Sequence, residues 1–530
     1  MTPQELSREI DKRKTFAIIS HPDAGKTTMT EKLLLYGGAI QLAGSVKARR
    51  AKQHATSDWM EIEKERGISV TSSVLQFQYG GHNLNLLDTP GHQDFGEDTY
   101  RTLTAADSAI MLLDNNKGVE TQTRKLFDVC KLRRTPIFTF VNKCDRLGRD
   151  PFEILDEVES VLGIKCCPFT WPVRGWSSLK GVYHRQAKQV LLFEGGEHGA
   201  RKVEMTALGV DDPQLADVVG EQEAKQLKDE IELLDGAGGT FDRAAFDRGE
   251  LTPVFFGSAL SNFGVEPFLD AFLELGPTPL PRTAGGATVD PKDEQFRGFI
   301  FKIQANMDRA HRDRLAFMRI VSGRYTRGMK AYHVRMDREI RLSSATQMMA
   351  QERTQVEEAF AGDVLGVFDP GLFQIGDTLT EGDKRSFDGI PRFSPEHFCR
   401  LRLKDPLKRK QMQQGLEQLA LEGAVQVFHR PGMVEKDAFL GVVGPLQFEV
   451  FKHRMQSEYK VEVILEGLNY TVCRWVGGEV EAAQKVARYR DGTLVHDHLE
   501  RPVLLLHSER DVTWAETEAP TAKLRTISET

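Results

Sequence analysis

Ser20-His21-Pro22-Asp23-Ala24-Gly25-Lys26-Thr27, followed by Thr28, keeps all but the first glycine of the phosphate-loop pattern G-x-x-x-x-G-K-[ST]; Ser20 stands in its place. Such a loop turns successive backbone N–H groups and a helix N-terminus toward phosphate oxygens. Lys26 would place a point charge on β- and γ-phosphates, and Thr27 a hydroxyl on Mg²⁺. Asp88-Thr89-Pro90-Gly91-His92 adds a carboxylate that can orient the same ion through a water. Gly91 lacks a Cβ, so its N–H can approach a γ-phosphate closely. Taken alone, Asp88-Thr89-Pro90-Gly91 also reads as a plain turn.

Asn142-Lys143-Cys144-Asp145 offers a carboxylate that can accept from both N1–H and N2–H₂ of guanine. Adenine would bring a lone pair at N1 and leave that carboxylate unpaired, and sites of this kind discriminate by about 10⁴-fold or more. Gly257-Ser258-Ala259-Leu260 could turn backbone N–H groups toward guanine O6, although a generic loop has the same composition. Glu65-Arg66-Gly67-Ile68-Ser69 closes the polar stretch Gly44–Ser69. Ser69 could supply a second hydroxyl to Mg²⁺ when a γ-phosphate holds the loop; a solvated charged loop is the alternative.

These clusters need rigid elements behind them. Thr15–Ile19 reads as a buried strand leading into the first loop, and Lys26–Leu35 as the helix that follows. Leu84–Leu87, Ala109–Leu113, Ile137–Val141 and Val254–Phe256 are further short apolar runs. Val119, Leu126, Phe127 and Cys130 recur at helical spacing between two of them. This alternation predicts a parallel sheet with helices on both faces, and every nucleotide cluster except Glu65–Ser69 follows one of these strands. From about 171 to 250 the rhythm breaks into strands Gly181–His184 and Val190–Phe193 and a charged helix Glu221–Leu234, which reads as an insertion. Pro277, Pro279, Pro281, Gly285 and Gly286 form a linker. Beyond it, Phe299–Ile303, Leu315–Val321, Lys330–Arg335 and Val364–Val367 are short strands with turn signals between them, as in a β-barrel. Strand Arg400–Leu403, helix Leu407–Gly423, strands Gln426–Phe428 and Phe439–Val443 and helix Gln447–Glu458 then predict an open α+β sandwich. The expected class is multidomain α/β: a phosphate-loop domain over 1–282 with its insertion, a barrel over 290–385 and an α+β domain over 391–530. The tail after Val512 reads as irregular.

The 530 residues are 40% hydrophobic and 28% charged, which fits soluble globular domains and excludes global disorder. No run of about 18 apolar residues predicts a membrane span. The first residues, MTPQELSREIDKRK, lack the apolar core of a secretory signal. Six cysteines without metal-type spacing do not make a disulfide scaffold, so a reducing cytoplasm is the expected compartment. A net charge of −7 does not by itself suggest a nucleic-acid partner. Locally, however, Arg297, Lys302, Arg309, Arg312, Arg314, Arg319, Arg324, Arg327, Lys330 and Arg335 face only Asp308 and Asp313. A second stretch, Arg392–Lys410, has seven bases against two acids. Both are candidate footprints for a phosphate backbone, with a solvated surface as the alternative for the second.

The ordered set S-H-P-D-A-G-K-T-T, R-G-I-S, D-T-P-G-H, N-K-C-D and G-S-A-L resembles the translational GTPases, and the Gly-His pair resembles their elongation-factor branch. Ala361-Gly362-Asp363, Gln374-Ile375-Gly376-Asp377-Thr378 and the Phe317–Gly328 hairpin resemble the family's second, barrel domain. Val443-Gly444-Pro445-Leu446-Gln447-Phe448-Glu449-Val450 resembles the third domain of elongation factor G. The resemblance covers essentially the whole chain. It implies GTP and GDP as ligands, with Mg²⁺ held by Thr27, Ser69 and Asp88. It implies that His92 orients the attacking water, that Lys26 and Asp23 assist, and that Pro22 and Ile68 gate His92. It also implies a ribosome partner (RNA and proteins) that completes the site, and a monomer.

Three roles compete within the resemblance: a termination GTPase that speeds departure of codon-reading (class I) release factors, a translocase, and a carrier of tRNA or other cargo. With the α+β pattern ending near Ile464, only about 65 residues remain, too few for a translocase's two further domains. Helix Leu407–Gly423 stands where a carrier would have a second barrel. Termination is the expected role.

Overall fold

The computed structural model describes the chain except residues 40–72, 91–93, 95, 176–177, 194–204, 238–239, 306–313, 344, 350–351, 389, 391–393, 431–437 and 526–530. An amphipathic helix, α1 (Pro3–Asp11), opens it. Thr2 and Glu5 close a capping box at its start, and Leu6 and Ile10 are its buried face. This helix was not expected from the polar N-terminal residues, because its apolar face is only two side chains wide.

The first sheet runs β2 (Ser73–Tyr79), β3 (His82–Asp88), β1 (Arg13–Ser20), β4 (Ser108–Asp114), β5 (Ile137–Asn142), Leu251–Phe256 and Lys165–Pro168. All neighbours are parallel except the β2/β3 hairpin. β1 is buried along its whole length. Ala17 and Ile19 pack on one face with Leu103, Leu126 and Phe127; Phe16 and Ile18 pack on the other with Met29, Leu33, Phe268 and Phe272. Alternation along a strand covered on both faces makes every position apolar, hence the unbroken apolar run. The residues before Leu251 build a four-stranded antiparallel meander, Thr170–Gly175 to Met205–Gly209. Helix Glu221–Ala237 is tied to it where Trp171 Nε1 donates to Glu230 at 2.7 Å.

Strands Arg297–Ala305, Arg314–Ser322, Lys330–His333, Val364–Phe368 and Thr378–Thr380 enclose a separate core of Ile300, Met318, Ile320, Tyr325 and Leu365. Gly362 (φ +102°) lets this barrel close onto β1: a Cβ there would stand 2.7 Å from Arg13 Cβ. Its carbonyl accepts from Thr15 Oγ1 and Arg319 at 2.5 Å each.

The barrel takes part of the first basic footprint inside. Arg319 is 1% exposed and paired with Asp107 at 2.5 Å. Arg314 is buried on Asp369 at 2.7 Å, and Arg297 on Asp293 at 2.7 Å. Lys302 is buried near Asp98 at 3.7 Å, and Arg335 holds Asp377 at 2.6 Å. The partners lie outside the counted stretch, and four of the ten bases, Arg297, Lys302, Arg314 and Arg319, are buried. Arg324, Arg327 and Lys330 pair with Glu358, Glu357 and Glu339 on the surface. Arg309 and Arg312, with Asp308 and Asp313, lie outside the described residues. Arg319→Met should therefore destabilise the protein by about 3 kcal/mol, the low end for breaking a buried pair. Asp107 would keep only Arg282 at 3.8 Å and the Leu280 N–H. Chemical denaturation checks this; an unchanged midpoint would return Arg319 to a surface role.

In the second stretch, Arg402 and Lys404 are exposed beside Glu466 and Glu462. Arg392 lies outside the described residues.

The C-terminal part is one antiparallel sheet ordered Val463–Leu468, His397–Leu403, Ala438–Val442, Gln426–His429, Thr493–His496, Pro502–Leu506, Val472–Val476 and Leu524–Arg525. The α+β pattern thus continues well past Ile464. The tail after Val512 is not irregular: helix Glu509–Glu518 packs Val512 and Ala515 against Leu504 and Leu506, and Leu524–Arg525 pairs with Trp475 and Val476. Its buried face is too sparse to give a clear period. No helix among the described residues is long and apolar enough to cross a membrane.

Candidate nucleotide site

Four strand ends converge. After β1, Asp23 (φ +68°) and Gly25 (φ +102°) turn the backbone left-handed, and α2 (Lys26–Tyr36) begins at once. Alternation of this kind gathers N–H groups into an anion-binding concavity. Gly25 is also required by proximity, since a Cβ there would meet Asn142 Nδ2 at 2.3 Å. Lys26 Nζ lies 2.6 Å from Asp88 Oδ1, both nearly buried. Thr89 is fixed by its Oγ1 donating to Ile18 O at 2.7 Å. Thr27 and Thr28 lie half-buried in the first helical turn. His21 is half-buried, with Nε2 3.4 Å from Glu120.

Asn142 ends β5 and joins three loops. Its Nδ2 donates to Ala24 O at 2.8 Å, and its Oδ1 accepts from Ala259 N–H at 2.8 Å. The Ser258 N–H donates to Phe263 O at 2.8 Å. Two amides expected to face guanine O6 are thus engaged within the protein, and the loop is bound to the site through Asn142. Lys143 (φ +66°) reaches back to Asp23 O at 2.5 Å and pairs with Asp114 at 2.8 Å. Burial works against the Asp114 charge, but hydrogen bonds from Lys143 and the Asn116 amide hold its carboxyl below the usual range. Burial pushes the Cys144 thiol up to about 12, so this cysteine packs rather than reacts. Asp145 Oδ1 is buried with no hydrogen-bond partner. A lone buried acceptor at this place fits a ligand that brings N–H donors. The buried, unpartnered Ser20 Oγ at the loop's start adds a second unmet polar atom.

Asp114 was missed by sequence reading. The signal was available, because it too ends a parallel strand at the C-terminal face. The second omission is Asp94, just beyond the Asp88–His92 cluster. Its Oδ2 accepts the Leu446 N–H at 2.7 Å, at the start of helix Leu446–Tyr459 in the C-terminal part. Gly444 makes the approach possible: a Cβ there would stand 2.3 Å from Asp94 Cγ. Gln447 Oε1 accepts from Val443 and Gly444 N–H, which accounts for the Gly-Pro-Leu-Gln spacing. In helix Gly96–Ala105, Glu97 pairs with Arg101 and meets Gln426 Nε2 at 3.4 Å.

Residues 11–278 match the model of the elongation factor Tu GTP binding domain, and 295–382 that of elongation factor G domain 2. Residues 387–516 match the class II release factor RF3 C-terminal domain. The peptide chain release factor 3 of Symbiobacterium thermophilum is 59% identical over 504 residues, covering 95% of both chains. The chain belongs to the peptide chain release factor 3 family. It is accordingly a translational GTPase of termination, which binds and hydrolyses GTP. Among solved structures, a protein from Thermus thermophilus superposes with a TM-score of 0.68 at 25% identity, over 86% of this chain and 67% of its own.

For a release factor 3 family member, the Asp94 contact links the strand end after β3 to the domain that distinguishes the family. Gly444→Ala should press a methyl group into Asp94 and cost about 1–3 kcal/mol through overpacking. Thermal melts of both forms check this, and an unchanged melt would mean the two elements part freely. Gly91, His92, Glu65, Arg66, Gly67, Ile68 and Ser69 lie outside the described residues.

Proposed function

We propose that the protein is a ribosome-stimulated GTPase that speeds departure of codon-reading (class I) release factors after peptide release. Guanine is read by Asp145, with Asn142, Lys143, Cys144, Ser258, Ala259 and Leu260 forming the base-side wall. The phosphates are cradled by the amides of residues 20–28 and by Lys26, with Asp23 beside them and Thr89, Pro90 and Gly91 facing the γ-phosphate. Thr27, Ser69 and Asp88 would hold Mg²⁺, which neutralises charge on the β- and γ-phosphates when bound. His92 orients the attacking water once the ribosome, through its RNA and proteins, has repositioned it. Phosphoryl transfer needs positioning and charge stabilisation above all, and this set of groups supplies both. The protein acts as a cytoplasmic monomer, with working units over 1–282, 290–385 and 391–530.

One observation carries the reading. The loop-bearing strand ends, with the unpartnered Asp145 oxygen, stand in one chain with a C-terminal part that matches release factor 3, and Asp94 joins the two. A change in γ-phosphate contacts near Asp88 would reach that part through a few residues. Two measurements on the same ribosomes test it: residence time of a class I release factor, and codon-by-codon translocation, each with GTP. Shortened residence without translocation is expected. Translocation with unchanged residence would move the protein to the elongation class.

A further inference from the structure

The C-terminal sheet is two half-sheets joined at a seam. Val463–Leu468, His397–Leu403, Ala438–Val442 and Gln426–His429 make one half; Thr493–His496, Pro502–Leu506, Val472–Val476 and Leu524–Arg525 make the other. Among the described residues, the ladder across the seam is a single register pair, His429↔His496. Directly opposed residues of an antiparallel pair share a face, and the two imidazole centroids lie 5.9 Å apart.

A third group completes the cluster. Residues after Thr493–His496 turn back so that Glu500 Oε2 lies 2.9 Å from His429 Nε2. The turn is held from beneath. Asp497 Oδ1 accepts from Leu499 and Arg501 N–H, while Oδ2 accepts from Trp475 Nε1 at 3.1 Å and Arg501 Nε at 2.9 Å. Glu500 sits in the left-handed region (φ +59°), with its N–H on Asp497 O at 3.0 Å. One ligand nitrogen from each histidine and one Glu500 oxygen all lie within 4.8 Å of one another. Among the described residues, Arg501 pairs with Asp497, and Arg430 lies over the Phe439 ring.

We infer that His429, His496 and Glu500 form a binding site for a borderline divalent transition-metal ion of the Zn²⁺ type, which staples the two half-sheets at their single-pair seam. Two imidazole nitrogens and one carboxylate oxygen are the donor set of such ions, not of Mg²⁺ or Ca²⁺. A tetrahedral ion with bonds of about 2.0–2.1 Å holds its ligands about 3.3 Å apart. Glu500 is exposed, so rotation of its side chain and of the two imidazoles would bring the donors from within 4.8 Å toward that spacing. The His429–Glu500 ion pair alone explains two of the three groups but leaves His496 facing a second imidazole. The Asp497 network fixes the backbone turn that carries Glu500 beside the two histidines.

The test uses the full, untagged chain saturated with GDP and Mg²⁺, titrated with Zn²⁺ against a chromophoric chelator and, separately, with Co²⁺. One binding equivalent is expected that His429→Gln/His496→Gln abolishes, together with a tetrahedral Co²⁺ spectrum and a Zn²⁺-dependent rise in melting temperature seen only in the parent. Glu500→Gln, at an exposed position, should weaken binding by about tenfold or more and decides the matter if the double variant does not fold. Unchanged stoichiometry and affinity in these variants would assign the bound ion elsewhere, for example to Cys166 and Cys167, and overturn the proposal. So would an octahedral, water-like Co²⁺ spectrum.

Discussion

Asp145→Asn is expected to turn the nucleotide preference from guanine toward xanthine, with a swing of about 10⁴-fold or more between the two. Asp145 Oδ1 is buried with no hydrogen-bond partner in the protein, which leaves it open to donors that a ligand brings. Guanine brings N1–H and the N2 amine, both donors, and a carboxylate meets both. The Asn amide would set a donor against the amine and lose on both counts: the amine clashes, and a buried polar group goes unpaired. Xanthine carries a carbonyl there and accepts from the new amide. Folding should be spared, because Asn is isosteric and the loop is held by other groups. Cys144 N–H donates to Gly257 O at 3.0 Å, and Lys143 is fixed on Asp114 and Asp23. Equilibrium affinities for GDP and xanthosine diphosphate, measured on both forms, give the swing. A retained guanine preference would remove Asp145 from the base pocket.

Much of this site was legible in the sequence because its chemistry is local. A phosphate loop needs Gly25, Lys26 and Thr27 within three positions, and each strand that aims a loop announces itself as an apolar run covered on both faces. What stayed hidden is the chemistry that depends on partners distant in the chain. Asn142 sits in a motif associated with the base, yet its side chain joins Ala24 O to Ala259 N–H across more than a hundred residues. The basic stretch from Arg297 misled for the same reason. Counting charge along the chain cannot reveal that Asp107 and Asp369 fold onto Arg319 and Arg314. The second half of the C-terminal sheet escaped because its strands are short and its two helices, Val480–Tyr489 and Glu509–Glu518, bury only a few small residues such as Ala482, Ala483 and Ala515. A narrow apolar stripe over two or three turns gives no period that stands out from chance.

His92→Ala should leave nucleotide affinity nearly unchanged and cut ribosome-stimulated hydrolysis by about 10²–10⁴-fold, the scale for a positioned proton-handling or water-orienting group. Two fixed points bracket this residue in the chain. Upstream, Asp88 is buried against Lys26 and Thr89 is hydrogen-bonded to β1. Downstream, Asp94 is buried and bonded to the Leu446 N–H. Only four residues, 90–93, separate Thr89 from Asp94 in the sequence. The first anchor is bonded to the phosphate-loop strand and helix, and the second to the C-terminal part. If, as proposed, His92 orients the attacking water, a ribosome that engages the C-terminal part would act on it through the Asp94–Leu446 contact. Single-turnover hydrolysis on ribosomes, with affinity measured separately, isolates the effect. The fall should appear in the stimulated rate far more than in the slow rate of the free protein, because in the proposed mechanism only the stimulated reaction uses the repositioned imidazole. A His92→Ala rate within a few-fold of the parent on ribosomes would transfer the water-orienting role to another group and break the proposed link between C-terminal docking and hydrolysis.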